Sequence, residues 1–188
     1  MTSQQATERV ALAGQRVRLR EFTDDDIDGV CSLVGDDRVT WYLSFNSRDR
    51  DQARDMLTGI LERAQQQPRT EYYLAVTPLD DDQLVGFARL AFAGVQAAKL
   101  GYAIAHDHQR RGYATDAVRT MLDFAFGPLG RHRVSAAIGP ENAASLAVVE
   151  RVGFTREGVL RDHVFTNGAW RDSVLFSILA DEWTPSAG

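Results

Sequence analysis

Between Ile104 and Ala117 the sequence reads IAHDHQRRGYATDA. An apolar strand-like run ends, a tight polar loop with Arg110, Arg111 and Gly112 follows, and helix-forming residues begin at about Ala114. That order of residue types makes an anion cradle. The first N–H groups of a helix lack partners in a preceding turn and sit at the positive end of the helix dipole. Glycine lets a backbone approach an anion closely, and two arginines add charge. Phosphate is the anion that such loop-to-helix junctions hold. Two other phosphate-binding patterns are absent: there is no GxxxxGK[ST], and no GxGxxG follows a strand. Lys99, the only lysine against 20 arginines, precedes the strand's end. A nucleotide held in either of those two ways is therefore excluded.

Further along, Asn142 and Ser145 stand three residues apart at the start of a second helical run, hence on one face. The pair reads either as an N-cap with a first-turn residue or as polar groups aimed at a ligand. Candidate proton acceptors are Glu71 at the start of a strand, the run His106, Asp107 and His108, and Asp162 with His163 on a late strand. A base needs geometry first and a suitable pKa second; a water chain with no single base is the alternative. The four histidines show no metal-ligand spacing with carboxylates, so no metal is expected. Cys31 lies on an apolar helix face and reads as a small buried hydrophobe.

The elements that must position these groups follow from periodicity. Residues 15–22 alternate as a strand. Thr23 precedes three aspartates, an N-cap with acids in the first turn, for a helix through Ile27, Val30, Leu33 and Val34 that stops near Gly35. Residues 36–48, with Trp41, Tyr42 and Phe45, look irregular. Helical spacing returns over 49–67 and ends at Pro68. Strands are expected at 71–77, 83–92 and 98–105, the last with Leu100, Tyr102 and Ile104 on one face. A helix over 114–126 is stopped by Gly127-Pro128. A strand at 133–138 and a helix at 142–151, closed by Gly153, follow. Two final strands, 154–165 and 170–180, meet at Asn167-Gly168, a strong hairpin signal because both residues tolerate positive φ.

The whole chain of 188 residues suits one domain with no linker, its tails at about 1–13 and 181–188 less ordered. One cysteine excludes an internal disulfide and a thiolate cluster. No apolar run approaches the roughly 18 residues of a membrane span, and the polar first nine residues lack the apolar core of a signal peptide. A cytoplasmic protein without membrane partners is the expectation. The net charge of −5 argues against nonspecific nucleic-acid binding. The excess is uneven: residues 1–82 carry 16 acids against 10 arginines, and the remainder 10 acids against 11 basic residues.

Gln109-Arg110-Arg111-Gly112-Tyr113-Ala114 matches the Q/R-x-x-G-x-G/A signature of the GNAT family of N-acetyltransferases. Asn142-Ala143-Ala144-Ser145, Gly153-Phe154, Glu157-Gly158 with Arg161, Asn167-Gly168 with Trp170 and Asp172, and Asp181-Glu182-Trp183 resemble its ribosomal-protein alanine acetyltransferase branch, the RimJ/RimL type. The resemblance runs from about residue 15 to 183. It implies a single mixed α/β domain, a largely antiparallel sheet of about seven strands flanked by about four helices. It implies acetyl-CoA as co-substrate, its pyrophosphate on the loop Gln109, Arg110, Arg111, Gly112, Tyr113, Ala114 and Thr115. The pantetheine arm would pair with the backbone of Tyr102 and Ile104, on a strand splayed from its neighbour at a bulge. The N–H near Ile104 would hold the developing oxyanion. Asn142 and Ser145 would stand at the cofactor, Ser145 helping the thiolate leave, with Glu71 a candidate base. Many members place Tyr seven residues after that Asn; here it is Val149.

The implied acceptor is a primary amine, either the N-terminal α-amine of a peptide or protein or a small molecule's amine, and an acidic first part would favour a cationic one. Trp41, Tyr42 and Phe45 follow the first helix, where this family shapes its acceptor groove. The protein would act as a monomer or homodimer. The alternative is an acyl-CoA-binding sensor or inactive scaffold, motivated by Val149 and the lack of an evident base.

Overall fold

The computed structural model describes residues 9–185. The elements run β1 (Ala11–Ala13), β2 (Val17–Glu21), α1 (Ile27–Val34), α2 (Asp37–Thr40), α3 (Arg50–Ala64), β3 (Glu71–Pro78), β4 (Gly86–Phe92), β5 (Ala97–Ile104), α4 (Tyr113–Phe126), β6 (Arg133–Ile138), α5 (Ala143–Val152), β7 (Thr155–Thr166) and β8 (Ala169–Leu179). The strands form one sheet in the order β1-β2-β3-β4-β5-β6-β8-β7. Every neighbouring pair is antiparallel except β5 and β6.

Side-chain alternation divides the core in two. Along β3, Leu74 and Val76 point to one face, where α4 supplies Val118, Met121 and Leu122 and α5 supplies Val149 and Val152. Tyr73 and Ala75 point to the other, against Val30 and Leu33 of α1 and Leu57 and Ile60 of α3. A strand covered on both faces is apolar throughout, which is why β3 reads as the near-continuous run YYLAV.

The sheet has eight strands rather than seven. The addition is β1, which pairs Ala11–Ala13 with Arg18–Arg20 inside the segment expected to be a tail. Three residues are too few to show an alternation. α2 is likewise a single turn within the stretch expected to be irregular, started by Asp36, whose carboxylate accepts the Arg38 N–H. At the other end Trp183 donates to the Asp123 carboxylate at 2.9 Å, and Glu182 accepts the Leu179 N–H at 2.9 Å. Part of the expected C-terminal tail is thus anchored; residues 1–8 and 186–188 lie outside the described residues. Asn167 and Gly168 take φ of 52° and 73°, the hairpin turn that their types require.

One irregularity creates the site. β5 is paired with β4 without a register break from Ala98 to Ile104. On its other side it meets β6 only through Ala97–Lys99. β6 follows β8 instead over its whole length. The two parallel strands diverge, and β5 from Leu100 to Ile104 is left with no strand on that side. The opening is a divergence, not the expected bulge.

Candidate active site

The gap lies where the C-terminal half of β5, the N-termini of α4 and α5, and α2 come together. They enclose a cleft of about 970 Å³, at the top of the range of small-molecule sites. Tyr102, Ile104, Gln109, Arg110, Gly112, Tyr113, Ala114, Thr115, Asn142 and Ser145 all line it. Stretches some 40 residues apart in sequence meet here, as the resemblance implies.

The backbone of β5 is phased for the gap. Ala105 donates to the Val85 carbonyl at 2.8 Å, and the Ala97 carbonyl accepts from Ala93 at 2.9 Å. Successive residues of a strand aim their N–H and C=O in opposite directions. Odd-numbered residues therefore serve β4, and Leu100, Tyr102 and Ile104 direct theirs into the opening. Gln109 Nε2 donates to the Ile104 carbonyl at 3.0 Å. The motif glutamine, expected at the cofactor, thus occupies the acceptor of Ile104 and leaves its N–H as the group turned to the gap.

The loop that follows is left-handed at two points, with φ of 62° at Arg110 and 80° at Gly112. Gly112 occupies the N-cap position of α4 without any side-chain cap, so the first-turn N–H groups open toward the cleft. Arg110 lines the cleft, whereas the Arg111 guanidinium folds back onto the Asp107 carbonyl at 3.2 Å. Asp116, which the sequence reading missed, is buried in the first turn of α4. Its carboxylate accepts the N–H groups of Gln15, Arg16 and Val17 at 3.1, 2.7 and 2.9 Å, clamping the β1–β2 turn to the start of α4. A sequence signal existed: Asp116 and Thr120, one turn apart, interrupt an otherwise apolar flank.

Across the cleft, the Asn142 side chain accepts the Ser145 N–H at 3.1 Å and is the N-cap of α5. Tyr102 donates its phenol to the Ser145 carbonyl at 3.2 Å. Burial pushes that phenol up to about 12, an effect the Ser145 hydroxyl offsets only in part, so Tyr102 is a neutral tether between β5 and α5. The Ser145 hydroxyl lines the cleft beside the Tyr102 phenol.

The base candidates separate. Glu71 does not line the cleft: it pairs with Ala91, which pairs with Lys99. That is five residues, or about 16 Å, back along β5 from Ile104. Its buried carboxylate is held by Arg63 and, at 2.6 Å, by Arg89. Burial alone would raise its pKa, but the hydrogen bonds from the two arginines outweigh that and hold it below the ordinary range. Glu71 is thus a structural ion-pair residue and not a base at this cleft. Because its folded pKa is lowered, its contribution is complete above the ordinary glutamate pKa and is lost as pH falls through the lower folded value. Glu71→Gln should cost about 1–2 kcal/mol at pH 7, less than a fully buried pair because both guanidinium groups are about half in solvent. The difference from the parent should vanish in thermal melts at low pH; an unchanged difference there would show that charge is not the cause.

Asp162 and His163 also lie outside the cleft. His163 Nδ1 is 3.0 Å from Ser173 Oγ, and the Asp162 N–H donates to Asp172 at 2.9 Å. His106 and His108 do line the cleft, in the one-turn 3-10 segment after β5, while Asp107 is exposed beside Arg38 at 3.8 Å. Trp41 and Tyr42 line the outer wall, and Phe45 packs into the core of the α1/α3 face. The acidic first part of the chain contributes one acid, Asp37, and one base, Arg38, to the cleft. Among the described residues the rest of its acids lie outside the cleft and form no acidic acceptor wall there.

Comparison with known proteins agrees with this geometry. The family model described as "Acetyltransferase (GNAT) domain" matches residues 16–155. The probable N-acetyltransferase YjcK of Bacillus subtilis is 35% identical over 129 residues, 67% of this chain and 70% of its own. The [ribosomal protein uS5]-alanine N-acetyltransferase of Escherichia coli is 28% identical over 117 residues, 61% of this chain and 60% of its own. The structure of Mycobacterium smegmatis RimJ in complex with CoA-disulfide superposes with a TM-score of 0.81 at 25% identity, covering 95% of this chain and 90% of that one. With the motif loop, the open strand edge and the sheet order all in place, the chain belongs to the GNAT acetyltransferase family.

Proposed function

We propose that the protein transfers an acetyl group directly from acetyl-CoA to a primary amine, the N-terminal α-amine of a peptide or protein or the amine of a small molecule. The observation that carries this reading is the unpaired edge of β5. Its free backbone groups run from the Ser145 side of the cleft to the N-terminus of α4. That shape suits CoA at both ends: an extended amide-bearing arm can add to a strand edge, and a pyrophosphate can sit on helix N–H groups. A Cβ at Gly112 would narrow the phosphate end, where φ is 80°.

In this reading Tyr102 and Ile104 hold the pantetheine through their backbones, and the Ile104 N–H faces the thioester carbonyl oxygen. Arg110, Gly112, Tyr113, Ala114 and Thr115 hold the phosphates. The incoming amine, having lost a proton, forms the new C–N bond as the C–S bond breaks, and the sulfur leaves with the bonding pair. The Ser145 hydroxyl donates to that sulfur. An α-amine has a pKa near 8 and needs little help in deprotonation, which fits a cleft whose lining offers only His106, His108, Asp37 and Glu141 as proton acceptors among the described residues.

Thiol release with acetyl-CoA against a panel of N-terminal peptides, polyamines and amino acids tests the reading. CoA binding without thiol release across the panel would instead mark a binding protein. Ser145→Ala should lower kcat about tenfold, roughly 1.4 kcal/mol of transition-state stabilisation, with little change in the Kd for CoA. An unaltered kcat would reduce Ser145 to a residue of the α5 first turn.

A further inference from the structure

We infer that Arg16, on the turn between β1 and β2, is a phosphate-contacting residue of the CoA site, although it lies about 95 positions from the motif loop in sequence. The inference rests on the cofactor reading above.

The turn is fixed against α4. Gly14 donates to the Val17 carbonyl at 2.8 Å, and the Asp116 carboxylate takes the N–H groups of the next three residues. The packing is close: a Cβ on Gly14 would come within 2.6 Å of Thr120 Oγ1. From this anchored backbone the Arg16 side chain passes beside the motif glycine. A Cβ on Gly112 would lie 3.3 Å from Arg16 Cδ, 3.4 Å from Nε and 3.9 Å from Cζ. The guanidinium therefore stands at the rim of the anion cradle, brought there by the turn and not by the loop.

Its surroundings make this placement informative. Arg16 is exposed and forms no ion pair or side-chain hydrogen bond among the described residues. Three arginines nearby are committed to carboxylates: Arg20 to Asp26 and Asp82, Arg69 to Glu21, and Arg89 to Glu71; Arg18 on β2 is exposed and has no such pair among the described residues. Arg16 instead faces the N-terminus of α4, the positive end of a helix dipole, in company with Arg110 and Arg111. A cation there is disfavoured. The Asp116 carboxylate that clamps the turn is occupied by three backbone N–H groups. What relieves that arrangement is an anion between the guanidinium and the helix. A phosphate group is the anion whose geometry a guanidinium fork matches. CoA offers two, the pyrophosphate and the 3′-phosphate, and the inference is to the shared chemistry.

Calorimetric titration with CoA and with 3′-dephospho-CoA tests it on the wild type, Arg16→Ala, Arg16→Lys and Arg18→Ala. Arg18 is exposed on β2, and its removal deletes the same charge away from the loop. Arg16→Ala should weaken CoA about tenfold, the order expected for one charge-assisted hydrogen bond, and Arg16→Lys should restore part of the loss. Arg18→Ala should stay near wild type. An equal loss with both ligands assigns Arg16 to the pyrophosphate; a loss seen only with CoA assigns it to the 3′-phosphate. Wild-type affinity in Arg16→Ala, or an equal fall in Arg18→Ala, overturns the inference while leaving the cofactor site standing. A wild type that binds neither ligand overturns the cofactor reading itself.

Discussion

Gly112→Glu is expected to raise the Kd for CoA about 100-fold or more, roughly 2.7 kcal/mol at ambient temperature. Three effects act together. Gly112 holds a φ of 80°, where a side chain costs about 1–2 kcal/mol. The new Cβ would meet Arg16 Cδ at 3.3 Å and displace a cation from the rim. The carboxylate would then occupy the first-turn N–H groups and repel the phosphates they serve. Gly112 is exposed, so the fold should survive and a melting curve should show it. Gly112→Asn separates the contributions, because Asn tolerates the left-handed region and brings no charge; its loss should be several-fold at most. Calorimetry in which Gly112→Glu binds CoA as the parent does would remove the loop from the cofactor site.

Asp116→Ala should be the most destabilising single change near the site. Three backbone N–H groups, of Gln15, Arg16 and Val17, would lose their acceptor. Leaving a buried donor unsatisfied costs about 1–3 kcal/mol. Water can reach the turn on its Gln15 side, so a total of about 3 kcal/mol is the reasonable expectation. For a chain of this length that corresponds to a Tm lower by roughly 10 °C. Asp116→Asn keeps one carbonyl acceptor and should lose about half as much. The effect should also reach the cofactor: with the β1–β2 turn released, Arg16 is no longer held over Gly112, and CoA affinity should fall in the variant at temperatures where it remains folded. A Tm within about 1 °C of the parent would show that the clamp contributes little to stability.

The two residues differ in how they could be found. Gly112 is legible in the chain because everything that gives it meaning is contiguous: a strand end, two arginines, a glycine and a helix start within about a dozen residues. Asp116 sits in the same stretch, yet its partners lie 99 to 101 positions away. Nothing in its own neighbourhood names Gln15, Arg16 or Val17. Glu71 shows the converse. Its place at the head of a strand made it a plausible base, but the strand register sets it level with Lys99, far from Ile104. Its two arginines then turn it from a proton acceptor into a fixed anion.

The sequence by itself determined most of the helices and strands, the hairpin at Asn167-Gly168, the strand–loop–helix junction at Gly112 and the pairing of Asn142 with Ser145. Each of these rests on periodicity or on backbone preferences within a few residues. Only the tertiary structure decided that β6 leaves β5 after Lys99, that Gln109 binds the Ile104 carbonyl, that Tyr102 tethers Ser145, and that Arg16 lies beside Gly112. Those are pairings between distant segments, fixed by which strands find each other and how far they stay together. Local residue preferences carry no information about either.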